Sequence, residues 1–284
     1  MSEEEYLSGL ERVEEASYPT YYSRGAHDRA LRLSLMAEKA HLYLKEFTEK
    51  DINATLLILN GEDWGKRTQL MYGVFFEEKG YIHFPADTDN PFLNSMQPIW
   101  EHCPSHLRSK IINRAGTDSP FEKCLSGFFE GKVAHELTHF FLSKEGVNFR
   151  QRWFTEFYCD YMNYAFLKRH EGSFDDALWL QETMPHVIYE GGLPFAEYRL
   201  TTDFDNFWVE TPNGLQMRGS TLNLLWFYAK GMRGVIDLYR VHGEGFIRYA
   251  VDAYKPSNDA LVRRLEASHM GLGEWFREWL EKNP

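Results

Sequence analysis

Cysteine is scarce in this chain. Cys103, Cys124 and Cys159 are odd in number and form no C-x-x-C pair. A disulfide framework is therefore excluded, and the three read as reduced, mostly buried thiols. Long apolar runs are lacking too: no stretch approaches the roughly 20 residues that a membrane-crossing helix needs. A basic leader is also missing. Met1-Ser2-Glu3-Glu4-Glu5 is acidic where a signal peptide would be basic and then apolar, so the expected placement is cytoplasmic. Positive charge is in deficit, with 31 basic against 42 acidic residues and a net charge of -11. That balance, with no basic run, disfavours nucleic acid and anionic membranes as partners; solubility is its plainest role. Internal repeats, low-complexity tracts and a long linker are all absent.

What is present suits a well-filled core: 43% of residues are hydrophobic and 16% aromatic. A length of 284 residues holds one large domain or two lobes sharing a cleft. Residues 26 to 48 carry Leu31, Leu33, Leu35, Ala40, Leu42, Leu44 and Phe47, an imperfect helical stripe. Thr55-Leu56-Leu57-Ile58-Leu59, bounded by Asn53 and Asn60-Gly61, reads as a buried strand. Tyr72 to Phe76 and Tyr81 to Phe84, separated by Glu77-Glu78-Lys79-Gly80, read as a hairpin. From about residue 121 onward the chain reads as nearly all helical. Loops are expected near 146–150, 170–173, 190–194, 201–218 and 254–258.

The most informative segment is His135-Glu136-Leu137-Thr138-His139, an H-E-x-x-H pentad. Residues four apart lie on one helical face, so both imidazoles can converge on one metal ion. Glu136 projects beside that ion, where a carboxylate can take a proton from water. Hydrolytic zinc usually takes three protein ligands, and Glu156 follows His139 after a polar, Gly-containing break at Ser143 to Asn148. Asp160 lies one turn beyond Glu156 on the same face. There it can accept a hydrogen bond from a ligand histidine and fix its tautomer.

This arrangement resembles the gluzincin metallopeptidases. Trp153-Phe154-Thr155-Glu156 is similar to the W-[LF]-x-E segment that carries the third ligand in the aminopeptidase N family. Tyr228-Ala229-Lys230-Gly231, followed by Val235, Leu238, Gly243-Glu244 and Phe246, resembles that family's Y-x-K-G pattern and the apolar helix after it. Leu272 to Leu280 resembles its Trp-containing closing segment. The likeness spans about residues 120 to 284. It implies that His135, His139 and Glu156 hold one Zn²⁺ per chain, and that Tyr228 stabilises the oxyanion of a tetrahedral intermediate. Three departures are visible: Thr155-Glu156-Phe157 stands where the family usually reads N-E-G; the position seven after the ligand is Asn163 rather than a carboxylate; and no G-x-M-E-N motif precedes the pentad. Asp160 at plus four is closer to the thermolysin type, and nothing implies aminopeptidase specificity.

The resulting expectation is an α+β, mostly helical zincin-like catalytic fold. Residues 1–145 would form an N-terminal lobe with a small mixed sheet, ending in the zinc helix, and residues 146–284 a helical C-terminal lobe. Tyr81-Ile82-His83-Phe84 is expected to line the cleft and pair with extended substrate. The chain is too short for the further domains of the full-length aminopeptidases, so it resembles an isolated catalytic unit. The expected activity is hydrolysis of peptide bonds in a peptide or protein, with Glu136 as general base and Tyr228 as oxyanion donor. Two alternatives stand beside it: a zinc hydrolase of a non-peptide substrate, as leukotriene hydrolase exemplifies in that family, and a non-catalytic binding protein with the same fold. The plain readings of the same residues are a helix carrying two satisfied histidines, surface carboxylates at Glu136 and Asp160, and a core aromatic at Tyr228. The remaining histidines, His83, His186 and His242 among them, show no ligand spacing and read as structural or surface residues.

Overall fold

The computed structural model describes residues 3–78, 80–146, 149, 151–211, 214–247 and 272–282. Its five-stranded mixed sheet is built from β1 (Glu11–Arg12), β2 (Thr20–Tyr22), β3 (Thr55–Leu59), β4 (Phe76–Glu78) and β5 (Tyr81–Pro85). The strand order is β1-β2-β3-β5-β4. β2, β3 and β5 run parallel, and β1 and β4 join the edges antiparallel. The continuous apolar run of β3 follows from burial on both faces. Leu56 and Ile58 enter the main core, while Leu57 and Leu59 pack with Trp64 on the opposite side. That opposite side is covered by α1 (Glu3–Leu7) and α3 (Gly61–Arg67). Asn60 caps α3 by accepting from the Asp63 N–H at 2.9 Å, the use that short polar side chains find before a first helical turn.

The hairpin is real but shifted, and its two strands exchange roles. Residues 72–75 form no strand, because the chain turns at Gly73, where φ is +104° and an added Cβ would lie 2.0 Å from Asn90 Oδ1. β4 therefore starts at Phe76, and Glu78 pairs with Tyr81. This leaves a two-residue connection in place of the four expected. β5 lies between β3 and β4, so Tyr81 to Phe84 cannot offer an open edge to a substrate. The edge belongs to β4. His83 is 0% exposed and shares a 2.9 Å hydrogen bond with the Tyr6 hydroxyl.

The long helix α2 (His27–Thr48) packs on the sheet through Leu33, Ala37, Ala40 and Leu44, which share one face. Leu35 and Leu42, expected in its stripe, fall on the opposite face and are 46% and 61% exposed. Short helices α4 (Pro91–Asn94), α5 (Gln97–His102), α6 (Ser105–Ala115) and α7 (Pro120–Glu130) lead into α8 (Val133–Lys144), which carries the pentad. α9 (Arg152–Arg169) is buried along most of its length, from Trp153 to Leu167. α10 (Asp175–Gly192), α11 (Thr201–Asp205), α12 (Thr221–His242) and α13 (Leu272–Lys282) pack around it.

The turn expected at 170–173 is present. The loop expected at 190–194 is instead the end of α10, continued by a 3-10 turn over Leu193–Phe195. The stretch 201–218 holds α11 and an antiparallel hairpin, β6 (Trp208–Thr211) with β7 (Gly214–Met217). Pro212 and Asn213, both turn-favouring residue types, are the local signal for it. Only part of the 146–150 loop lies within the described residues, and 254–258 lies outside them. No described helix is long and apolar enough to cross a membrane. The three cysteines are free and buried.

Two hydrophobic clusters fill the body. One joins the sheet, α2, α8, α9 and α13; the other joins α4 to α7, α10 and one face of α12. Phe75 and Tyr228 pack against both clusters. They mark the seam where the cleft opens.

Because Gly73 combines a left-handed φ with the Asn90 contact, Gly73→Ala is expected to cost about 2–3 kcal/mol of folding stability. A denaturation midpoint unchanged from wild type would show that the turn relaxes without strain.

Candidate metal centre

α8 lies between α2 and α9 and packs closely on each. Its inward face turns His135 and His139 toward the N-terminal part of α9, where Glu156 emerges. The three ligand atoms form a near-regular triangle. His135 Nε2 is 3.0 Å from His139 Nε2, and each of these nitrogens is 3.3 Å from Glu156 Oε2. A tetrahedral ion with bonds of about 2.0–2.1 Å spaces its ligand atoms about 3.3–3.4 Å apart. The donor set fits such an ion in chemistry and in spacing. Among the described residues it is the one cluster of this kind.

Behind His135, its Nδ1 lies 2.8 Å from Asp160 Oδ1. The carboxylate can only accept, so Nδ1 carries a proton, and in the neutral ring Nε2 is the nitrogen left with a lone pair toward the ligand triangle. The same carboxylate oxygen accepts from the ammonium of Lys132. Asp160 and Lys132 are both buried, and Lys132 also stands over the Phe128 ring at 5.1 Å. Lys132 escaped the sequence reading. Its position three residues before His135, on the same helical side, was the signal available.

The charges perturb one another as their proximity requires. Burial alone would lower the His135 pKa, but the Asp160 charge and hydrogen bond outweigh it and raise it to about 9. Burial would raise Glu156, yet the two histidines hold it well below the ordinary carboxylate range. Asp160 is likewise held low against burial, by Lys132 and then His135. Glu136 differs: burial raises its pKa, partly offset by the two histidines. A carboxylate so placed is suited to receive a proton rather than to remain a spectator anion.

A cavity of about 880 Å³ opens over the triangle, and His135, Glu136, His139, Glu156 and Tyr228 all line it. Tyr228 arrives on α12. Its phenol is held well above its usual pKa, first by burial and then by the charges of Glu156 and Glu136. It therefore stays a hydrogen-bond donor. The β4 edge contributes Phe76 and Glu77 to the wall. All six site residues named from the sequence thus gather at one place: three as a ligand triangle, two lining the cavity beside it, and Asp160 behind. His83 and His186 stay apart from it, the first buried under the sheet and the second exposed on α10.

No protein-family model, no curated protein and no solved structure matches the chain.

An ion held at this centre would have to displace the proton that His135 holds up to a pKa of about 9. Below that value each rise of one pH unit removes more of the competing proton, so affinity for a divalent ion such as zinc should increase with pH. The slope expected is about tenfold per unit between pH 7 and 9 for one displaced proton, flattening above. Chelator competition across that range measures it, and a flat profile would exclude His135 as a ligand.

Proposed function

We propose that the protein is a zinc-dependent metallopeptidase with a zincin-like, gluzincin-type catalytic fold. The observation that carries this reading is the triangle of His135, His139 and Glu156, spaced for a tetrahedral ion and sharing one cavity with a buried acid and a phenol. Zinc is the ion proposed, because two imidazoles, one carboxylate and an open fourth position form a common catalytic zinc set. When bound, the ion supplies Lewis-acid chemistry, acidifying a water toward a pKa of about 7 and polarising a carbonyl.

The chain's own residues divide the remaining work. Asp160 holds the His135 ring in one tautomer and one orientation. Glu136, with its raised pKa, accepts the proton of the attacking water and passes it to the leaving amine. Tyr228, kept protonated, donates to the negative charge that develops on the carbonyl oxygen. The outer side of β4 faces away from the sheet, in position to pair with an extended peptide backbone beside the cavity. The substrate proposed is accordingly a peptide or protein segment.

Glu136→Gln should retain zinc and lose activity by about 10²–10⁴-fold, because an amide cannot take the proton. Metal analysis and a peptide-library digest of the same preparation test this together. An active Glu136→Gln protein would require another base.

Tyr228→Phe keeps the ring and its packing while deleting one donor. Turnover is expected to fall about 10²–10³-fold with zinc content and thermal stability near wild type. The Michaelis constant should move less, since the lost bond strengthens mainly in the transition state. Unchanged kcat would make Tyr228 a packing residue and nothing more.

A further inference from the structure

Away from the histidines, the cavity changes character. On the side of the metal centre toward α7 and α10, its wall includes Phe75, Phe92, Phe128, Phe129, Ile188 and Leu225. All but Phe75 are buried, so this end is closed by the second hydrophobic cluster rather than open to solvent. The rings brace one another: Phe75 stacks on Phe129 at 4.9 Å, and Phe92 meets Phe129 edge-on at 5.4 Å. Walls built this way hold their shape when a ligand enters. Lys132 lines the cavity as well, and its ammonium donates to Asp160.

We infer that this closed end is a substrate-binding chamber for a large uncharged apolar group, aromatic or long aliphatic, held next to the metal centre. The proposal rests on the peptidase reading only for the identity of the substrate backbone; the chamber's selectivity follows from its wall. An incoming charged group of either sign would give up its hydration against a wall of aromatic and aliphatic side chains. An apolar group meets no such cost and gains from removal of its surface from water. With about 880 Å³ in the whole cavity, near the upper end of the usual range for small-ligand sites of about 300–1,000 Å³, there is room for a side chain of the largest class. Apolar contact continues to the mouth, where Leu70 lines the cavity and is 49% exposed. For a peptide, this predicts cleavage beside Phe, Leu, Met or Trp and little beside Asp, Glu, Lys or Arg.

Two measurements test the chamber without relying on peptide hydrolysis. The first uses the metal-free protein and the uncharged fluorophore N-phenyl-1-naphthylamine. Wild type should bind it, and the chamber-filling variants Ala229→Phe and Ile188→Phe should each weaken binding at least about tenfold, a loss typical of blocked apolar contact. Leu42→Ser, which removes an exposed apolar side chain far from the cleft, should leave binding unchanged. The second uses zinc-loaded protein and two hydroxamates. 3-Phenylpropanohydroxamic acid should bind about 100-fold more tightly than acetohydroxamic acid, because its phenyl group is taken out of water. That advantage should shrink in Ala229→Phe.

Dye binding that neither filling variant alters, or equal affinity for the two hydroxamates, would overturn the chamber. So would a peptide-library digest with preference for charged residues beside the cut. If no peptide is cleaved but the dye and hydroxamate results hold, the peptidase reading fails and the chamber stands. If neither hydroxamate binds, the metal assignment fails and the dye experiment alone decides.

Discussion

One carboxylate oxygen organises the centre. Asp160 Oδ1 takes a hydrogen bond from His135 and another from Lys132, and so ties α8 to α9 at a buried point. Both partners are charge-assisted or polar donors in a low-dielectric setting, where such bonds are strong and their loss is costly. Removing one member of a buried ion pair typically costs about 3–5 kcal/mol, because the other is left uncompensated. The His135 lone pair is aimed by this contact, and the spacing of the ligand triangle depends on the helix packing that the contact secures.

Around that point negative charge is in excess. Glu136, Glu156 and Asp160 bring three carboxylates to one end of the cavity, and Lys132 supplies one cation among them. A divalent ion on the triangle would complete the compensation with all three acids ionised and both histidines neutral. Without an ion, the Asp160 charge raises the His135 pKa to about 9 and burial raises that of Glu136. An ion and protons would therefore compete for the same excess of negative charge, which would couple binding to pH.

The two hydrophobic clusters do different jobs. The first holds the zinc-helix candidate against the sheet and the central α9. The second builds the apolar end of the cleft and carries one face of α12. Tyr228 stands on the seam between them, packed against both. Its placement therefore depends on how the clusters meet, and a shift of one against the other would move the phenol relative to the ligand triangle.

Helical periodicity alone sets that His135 and His139 share a face of α8, and that Glu156 and Asp160 share a face of α9; that the two faces meet is decided by the packing of the helices. The same periodicity placed α2 and the buried strand β3, and the mostly helical body with a small mixed sheet. It failed where a conformation is imposed from elsewhere in the chain. The start of β4 is displaced by a turn at Gly73 that Asn90 closes from seventeen residues away, and the edge position of β4 depends on strand order, which no local pattern encodes. Short strands such as β6 and β7 offer too few positions for alternation to show. Lys132 could be seen in the chain, but its pairing with Asp160 arises only when α8 lies on α9. The apolar chamber draws Phe75, Phe92, Phe128, Ile188 and Leu225 from five separate segments, each of which reads by itself as ordinary core. Sequence alone determined which histidines share one face of α8 and which acids share one face of α9, since that follows from helical periodicity within each helix. Tertiary structure decided the cavity, the edge strand and the reach of Tyr228, since these depend on packing between elements far apart in the chain.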